Sequence, residues 1–236
     1  MKNLKLAAVC LSCLTMTGCS ALNFSVEGLI NAPKLTSEQS EIHQALIESV
    51  GSNITLKYPK NGEYRSAYVI ANIDDEPTDE AMVFYEYTSN GSEEDGLRVN
   101  ILDKDEDGKW YSVKELAGAG TDIDQVIISP MGSNNQTDVF VGYQNLTNDE
   151  KTMEIYSYTD GDFKRVALDT YSVLEPLDIN NDGYIELITI QRSTNNDTGA
   201  VTAKASMLNM KNNEITRGEN VDIARRQRQM CIRDRR

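Results

Sequence analysis

Apolar positions change their rhythm once along this chain. Between residues 36 and 50 they recur at helical spacing: Ile42, Leu46 and Val50 form a stripe, with Ala45 and Ile47 beside it. Thr36 can cap such a helix, and Gln39, three residues on, is its capping-box partner. A short helix is therefore expected over 36–50. From residue 64 the pattern turns into short β-branched and aromatic runs divided by Asn, Asp and Gly, which reads as strands. Runs at 64–71, 81–88, 97–103 and 109–116 form one set. Those at 122–129, 138–144, 152–158 and 162–168 form a second, and those at 170–177, 185–191, 201–209 and 214–217 a third. Between the last two runs of each set stand Asp107-Gly108, Asp160-Gly161 and Asn212-Asn213, residue types that accept the positive φ of tight hairpins. Their spacings are 53 and 52 residues. A constant period of four strands predicts an all-β fold: a partial β-propeller of about three four-stranded antiparallel blades, preceded by one short helix. The repeats fall at 64–117, 118–169 and 170–222.

The connection between the first and second strands of the third unit carries the most specific chemistry. In 178–186 side-chain oxygens fall at positions one (Asp178), three (Asn180), five (Asp182) and nine (Glu186), with Gly183 at six. A hard cation such as Ca²⁺ seeks six to eight oxygens at about 2.3–2.6 Å, and a tight loop with alternating oxygen-bearing residues can converge them. Gly183 takes the bend that a Cβ resists, and the Tyr184 carbonyl adds a backbone oxygen. With so few charged ligands, affinity is expected at about 10⁻⁴–10⁻³ M. An EF-hand is excluded, because position twelve is Thr189 and the flanks are β-rich. The same position recurs in register. The first unit has Asn72, Asp74, Glu76, Thr78 and Glu80, with Pro77 replacing the glycine, and is read as a weaker site. The second has Pro130, Gly132, Asn134 and Asp138 at the ligand positions and is expected to be metal-free. The run 103–108 begins like a further loop, but its position nine is Tyr111 and it occupies the hairpin site, so it reads as a turn.

The ends differ from this middle. Lys2 and Lys5 precede an apolar stretch over 6–16, shorter than the roughly 20 residues of a spanning helix. It ends in Met16-Thr17-Gly18-Cys19, which resembles the bacterial lipobox, with Met16 where leucine is commoner. The resemblance implies a signal peptide over 1–18, a diacylglycerol on Cys19, a lipidated tether over 19–35 and an extracytoplasmic protein anchored to the outer face of the cell membrane. More than one acyl chain is what makes such an anchor stable. At the other end, six of the chain's eleven arginines lie within 223–236. The run 225–234 resembles translated sequencing-adapter read-through, so this tail is expected to be non-native and the natural chain to continue past Asp222. The alternative is a basic tail for anionic lipid or nucleic acid.

With Lys2, Lys5 and the tail set aside, 15 basic residues face 36 acidic ones. Phosphate-backbone binding needs clustered Lys and Arg, so nucleic acid is excluded as a partner of the repeats. Cys10 and Cys13 leave with the signal, Cys19 takes lipid and Cys231 lies in the tail, which leaves the fold no disulfide and no thiol nucleophile. His43, the one histidine, reads as a surface or packing residue of the helix, and Trp110 as a packing anchor. The repeats thus lack the base of Ser-His-Asp or Cys-His chemistry and the usual ligands of zinc. Paired carboxylates for glycoside hydrolysis remain open.

The segment 177–187 resembles the calcium loop of FG-GAP/VCBS repeats, which build β-propellers including the head of integrin α-subunits. Gly118-Ala119-Gly120-Thr121-Asp122-Ile123-Asp124 resembles the Gly-rich lead-in to a blade. The order of lipobox, short helix and degenerate repeats is similar to that of lipoproteins of Gram-positive anaerobes. The resemblance implies structural Ca²⁺ and a non-enzymatic binding module at the cell envelope. Its partner would be a protein, a wall polymer or a glycan. The alternative is a cell-envelope glycan or peptidoglycan hydrolase, or its accessory subunit.

Overall fold

The structure, a computed structural model, describes residues 35–88, 96–131, 136–145, 150–179, 181–195, 197–211, 214–218 and 221–222. Residues 1–18, read above as a signal peptide, Cys19, the remaining residues up to 34, residues 212–213 and residues 223–236 lie outside the described residues. All the sheets belong to one compact unit that begins at Gln39.

Helix α1 (Ser37–Val50) is followed by β1 (Ile54–Leu56), β2 (Tyr68–Ala71), β3 (Glu80–Tyr87), β4 (Leu97–Lys104) and β5 (Trp110–Ala117). Then come β6 (Asp122–Ser129), β7 (Asp138–Gln144), β8 (Lys151–Thr159) and β9 (Asp162–Tyr171). The last set is β10 (Val173–Leu177), β11 (Glu186–Thr194), β12 (Val201–Lys211), β13 (Glu214–Arg217) and β14 (Val221–Asp222). They form three separate antiparallel sheets, none closed: β1 and β2 on β3, then β4 and β5; β6-β7-β8-β9; and β10-β11-β12-β13 with β14 on β12. The fold is all-β and propeller-like, with a single helix among the described residues. The β8–β9 hairpin turns on Asp160 (φ 56°) and Gly161 (φ 76°), the positive pair that a two-residue turn requires.

Alternation along the strands explains the stacking. In β3, Ala81, Val83 and Tyr85 face α1, where Ile42, Ala45 and Leu46 cover them together with Leu102 and Trp110. Met82 and Phe84 point the other way, with Val99 and Ile101, onto Val139, Val141 and Tyr143 of blade 2. Phe140, Met153 and Ile155, on blade 2's opposite face, pack on Leu174, Leu187 and Leu208 of blade 3. The order of layers is α1, blade 1, blade 2, blade 3. His43 Nδ1 lies 2.8 Å from the Tyr68 hydroxyl, and Trp110 is buried under the helix with Lys104 over its ring.

Two short strands were not foreseen, β14 and β1. The innermost row of blade 1 is split: β1 and β2 lie end to end along β3, and both ends meet at Phe84. Lys57 N–H donates to the Phe84 carbonyl, and Phe84 N–H to the Ala67 carbonyl. Residues 58–66 between them leave the sheet, because Pro59 lacks an N–H and Gly62 turns at φ +81°. They cross to blade 2, where Lys60 and Asn61 N–H groups donate to the Ile123 and Asp124 carbonyls. A run too short for period-2 alternation leaves no readable trace, which is why β1 escaped sequence reasoning.

Removing the side chain that joins helix to sheet should be costly. Leu46→Ala is expected to lose about 2–5 kcal/mol of stability, read from the midpoint of urea denaturation.

Candidate metal centre

The connections between first and second strands fall at equivalent places in the three blades, at 72–80 (loop 1), 130–138 (loop 2) and 178–186 (loop 3). In each, position nine is the first residue of the second strand: Glu80, Asp138 and Glu186. In each, its carboxylate accepts the backbone N–H of position two. The contacts are Ile73 N to Glu80 Oε2 at 2.8 Å, Met131 N to Asp138 Oδ2 at 3.0 Å and Ile179 N to Glu186 Oε2 at 2.9 Å. The shared feature of the three loops is therefore a carboxylate clamp across the turn. Position two is apolar throughout. Ile73 (1 % exposed) and Met131 (5 %) are buried in the two inter-blade cores, whereas Ile179 is 54 % exposed on the last blade.

Loop 3 is closed by its own carboxylates. Asp178 Oδ1 accepts from Asp182 N–H at 3.1 Å and Oδ2 from Gly183 N–H at 3.0 Å, while Asp182 Oδ1 accepts from Tyr184 N–H at 2.9 Å. Gly183 turns at φ +89° and Asn181 at +60°, so the loop needs glycine at its sixth position. Ile185 N–H donates to the Pro130 carbonyl at 3.0 Å, which stitches loop 3 to the start of loop 2. Asn180 lies outside the described residues, as do Gly132 and Asn134 of loop 2. Among the described residues no three His, Cys, Asp or Glu side chains are grouped so as to hold a metal ion. The donor chemistry of loop 3 nevertheless suits a hard cation: every candidate is an oxygen, and each carboxylate oxygen bonded to an N–H keeps a further lone pair.

Loop 1 uses the same residue types otherwise. Asn72 Nδ2 donates to the Glu76 and Thr78 carbonyls, and Asp74 Oδ1 accepts from Glu76 N–H at 2.8 Å. Burial holds the Asp74 carboxyl above its ordinary range. Glu80, 1 % exposed, has its second oxygen, Oε1, buried with no hydrogen-bond partner among the described residues. Burial pushes its carboxyl up to about 7; the Ile73 N–H opposes this, and the charges of Asp74 and Asp103 add to it. In loop 2, Asp138 is fully buried and also accepts from the Ser157 hydroxyl, so its clamp is the most enclosed.

Sequence reasoning missed a second charged centre. Asp124, 2 % exposed, sits at a break in the β6–β7 register, where an extra residue re-aims a side chain. Its Oδ1 accepts from Asn61 Nδ2 and from Lys151 Nζ, each at 2.7 Å, and its Oδ2 from the Tyr171 hydroxyl at 2.6 Å. Lys151 also lies 5.6 Å from the Tyr171 ring centre. Gly142 gives Tyr171 its room, since a Cβ there would collide with the hydroxyl. The Gly-rich lead-in has a packing reason too: a Cβ at Gly120 would meet Gln144 O and Tyr143 Cβ at 2.9 Å. A glycine inside β7 facing a tyrosine was the available signal, but one sequence does not show which residues meet. The chain matches no protein-family model, no curated protein and no solved structure.

Two outcomes follow from these carboxylates. An unfolded Glu80 titrates near 4.5 and the folded one at about 7, so between those values the folded state holds the extra proton. Its contribution to stability is complete below pH 4.5 and is lost as the pH rises through 7. Thermal melts in EGTA should therefore show a fall in Tm over that window, and Glu80→Gln should lessen it. Lys151→Met leaves the Asp124 charge buried without its cation, and should cost about 3–5 kcal/mol in urea denaturation.

Proposed function

We propose that this chain is a lipoprotein, anchored through Cys19 to the outer face of the cell membrane, whose propeller repeats form a binding module at the cell envelope. Its partner would be a protein, a wall polymer or a glycan. In this reading Ca²⁺ braces the third repeat, as the resemblance to FG-GAP/VCBS loops implies. Asp178, Asn180, Asp182, the Tyr184 carbonyl and Glu186 would hold it. The ion supplies positive charge that offsets the repulsion among three carboxylates within nine residues, and no reaction is asked of it.

The observation that carries the reading is the place of loop 3. The loop that holds the carboxylates is also the loop whose Ile185 N–H reaches Pro130 in the neighbouring blade. Fixing it would stiffen the junction between blades 2 and 3. The balance of 15 basic against 36 acidic residues outside the signal and tail supports an acidic surface that keeps off polyanions.

Calorimetry of the full-length chain tests the metal. With Ca²⁺ at about ten to a hundred times its Kd, stabilisation is roughly 1.4–2.7 kcal/mol, or about 3–10 °C in Tm for a domain of this size. EGTA should remove that gain, and Asp178→Ala with Asp182→Ala should abolish it; an unchanged Tm on folded protein sinks the calcium reading. Cys19→Ala should move the protein from the membrane fraction to the soluble one. Retention of the unlipidated protein on isolated cell wall, against retention on vesicles of membrane lipid alone, separates a wall partner from a lipid one.

A further inference from the structure

Loops 1 and 3 close by opposite chemistry, and one pair of residues accounts for it. Both must hold position one against positions five to seven. In loop 3, position one is an acceptor: Asp178 takes the N–H groups of Asp182 and Gly183. In loop 1 position six is Pro77, which has no N–H to give, so an aspartate at position one would lose one of its two donors. Position one there is Asn72, and it acts as a donor instead. Its Nδ2 gives hydrogen bonds to the Glu76 carbonyl at 2.5 Å and the Thr78 carbonyl at 2.9 Å. Both partners are acceptors only, so the atom facing them must be the amide nitrogen.

The Thr78 carbonyl stands at position seven, where a hard cation draws a backbone oxygen from such a loop, and here that oxygen meets the Asn72 amide nitrogen. We propose that the Asn72 amide nitrogen takes the place of the cation, so that loop 1 closes without metal. The N–H groups of that amide then stand where positions one and seven would each turn an oxygen toward a cation. Asp74 and Glu80 accept loop N–H groups as Asp182 and Glu186 do, so the difference from loop 3 lies at position one, where Asn72 presents N–H donors and Asp178 presents oxygens. Asn72 with Pro77, against Asp178 with Gly183, then determines whether this turn takes Ca²⁺. Loop 1 keeps the brace and gives up dependence on the ion. The inference rests on the calcium reading of loop 3 only for its comparison, and loop 1 can be tested without it.

The test uses the full-length chain carrying Asp178→Ala and Asp182→Ala, so that any remaining site is elsewhere. Equilibrium dialysis with radioactive Ca²⁺ should find no saturable binding by this protein, and millimolar Ca²⁺ should leave its Tm unchanged. Adding Asn72→Asp turns a carboxylate toward two carbonyls and should lower the Tm in EGTA. Adding Asn72→Asp with Pro77→Gly gives loop 1 the loop 3 residues at positions one and six and should create saturable Ca²⁺ binding with a Tm gain of about 3–10 °C. Saturable binding by the Asp178→Ala, Asp182→Ala protein that disappears with Asp74→Ala would overturn the proposal. So would an Asn72→Asp protein whose Tm in EGTA does not fall. If Asn72→Asp does not fold, the dialysis result on the parent double variant decides. Failure of the calcium reading itself shows separately, as absence of binding by the unmutated chain.

Discussion

A backbone N–H beside a buried apolar side chain must find an acceptor, and this requirement shapes the first two repeats. Ile73 and Met131 fill the cores between blades, so their amides enter a region where water cannot serve them. A buried donor left unpaired costs about 1–3 kcal/mol, and hydrogen bonds to charged groups are worth about 1.5–3 kcal/mol. The carboxylate seven residues on, at the start of the next strand, supplies the acceptor. Without it the first strand could not turn into the second while leaving position two in the core. The sheets would then lose the side chains that let them stack.

The stack is held by a second kind of contact, made where one blade reaches into the next. Residues 58–66 leave blade 1 to bond the inner strand of blade 2, and Asp124 gathers Asn61, Lys151 and Tyr171 at that junction. On the same pair of blades, Lys114 Nζ bonds Asp162 and the Phe163 carbonyl at 2.6 Å. Between blades 2 and 3, Arg217, bonded to Ser206 of its own sheet, pairs with Asp169, while Ile185 reaches Pro130. These ties are charged or backbone-mediated, so they orient the sheets, while the apolar faces supply most of the energy.

The fold was largely legible because its period is written in local chemistry. β6, β7 and β13 fall on the runs read from alternation, and the Asp160-Gly161 turn adopts the positive φ that its residue types favour. The position-nine carboxylates were visible too, because the register of the repeat marks them. Their clamp was not, since a carboxylate that could ligate a cation and one that accepts a buried N–H look alike in a sequence. Asn72 shows the same limit: an amide can accept or donate, and only the carbonyls around it decide. Asp124 was hidden for a different reason. Its partners lie 27 to 63 residues away, and no local pattern marks a contact at that distance.

Hydrogen exchange at the position-two amides, followed residue by residue by NMR in EGTA, tests the clamp most directly. If the carboxylates rather than a cation hold the turns, the Ile73 and Met131 amides will exchange as slowly as the strand amides beside them, with no calcium present. Exchange of those two amides at the rate of an exposed loop, with the neighbouring strands still protected, would contradict the account.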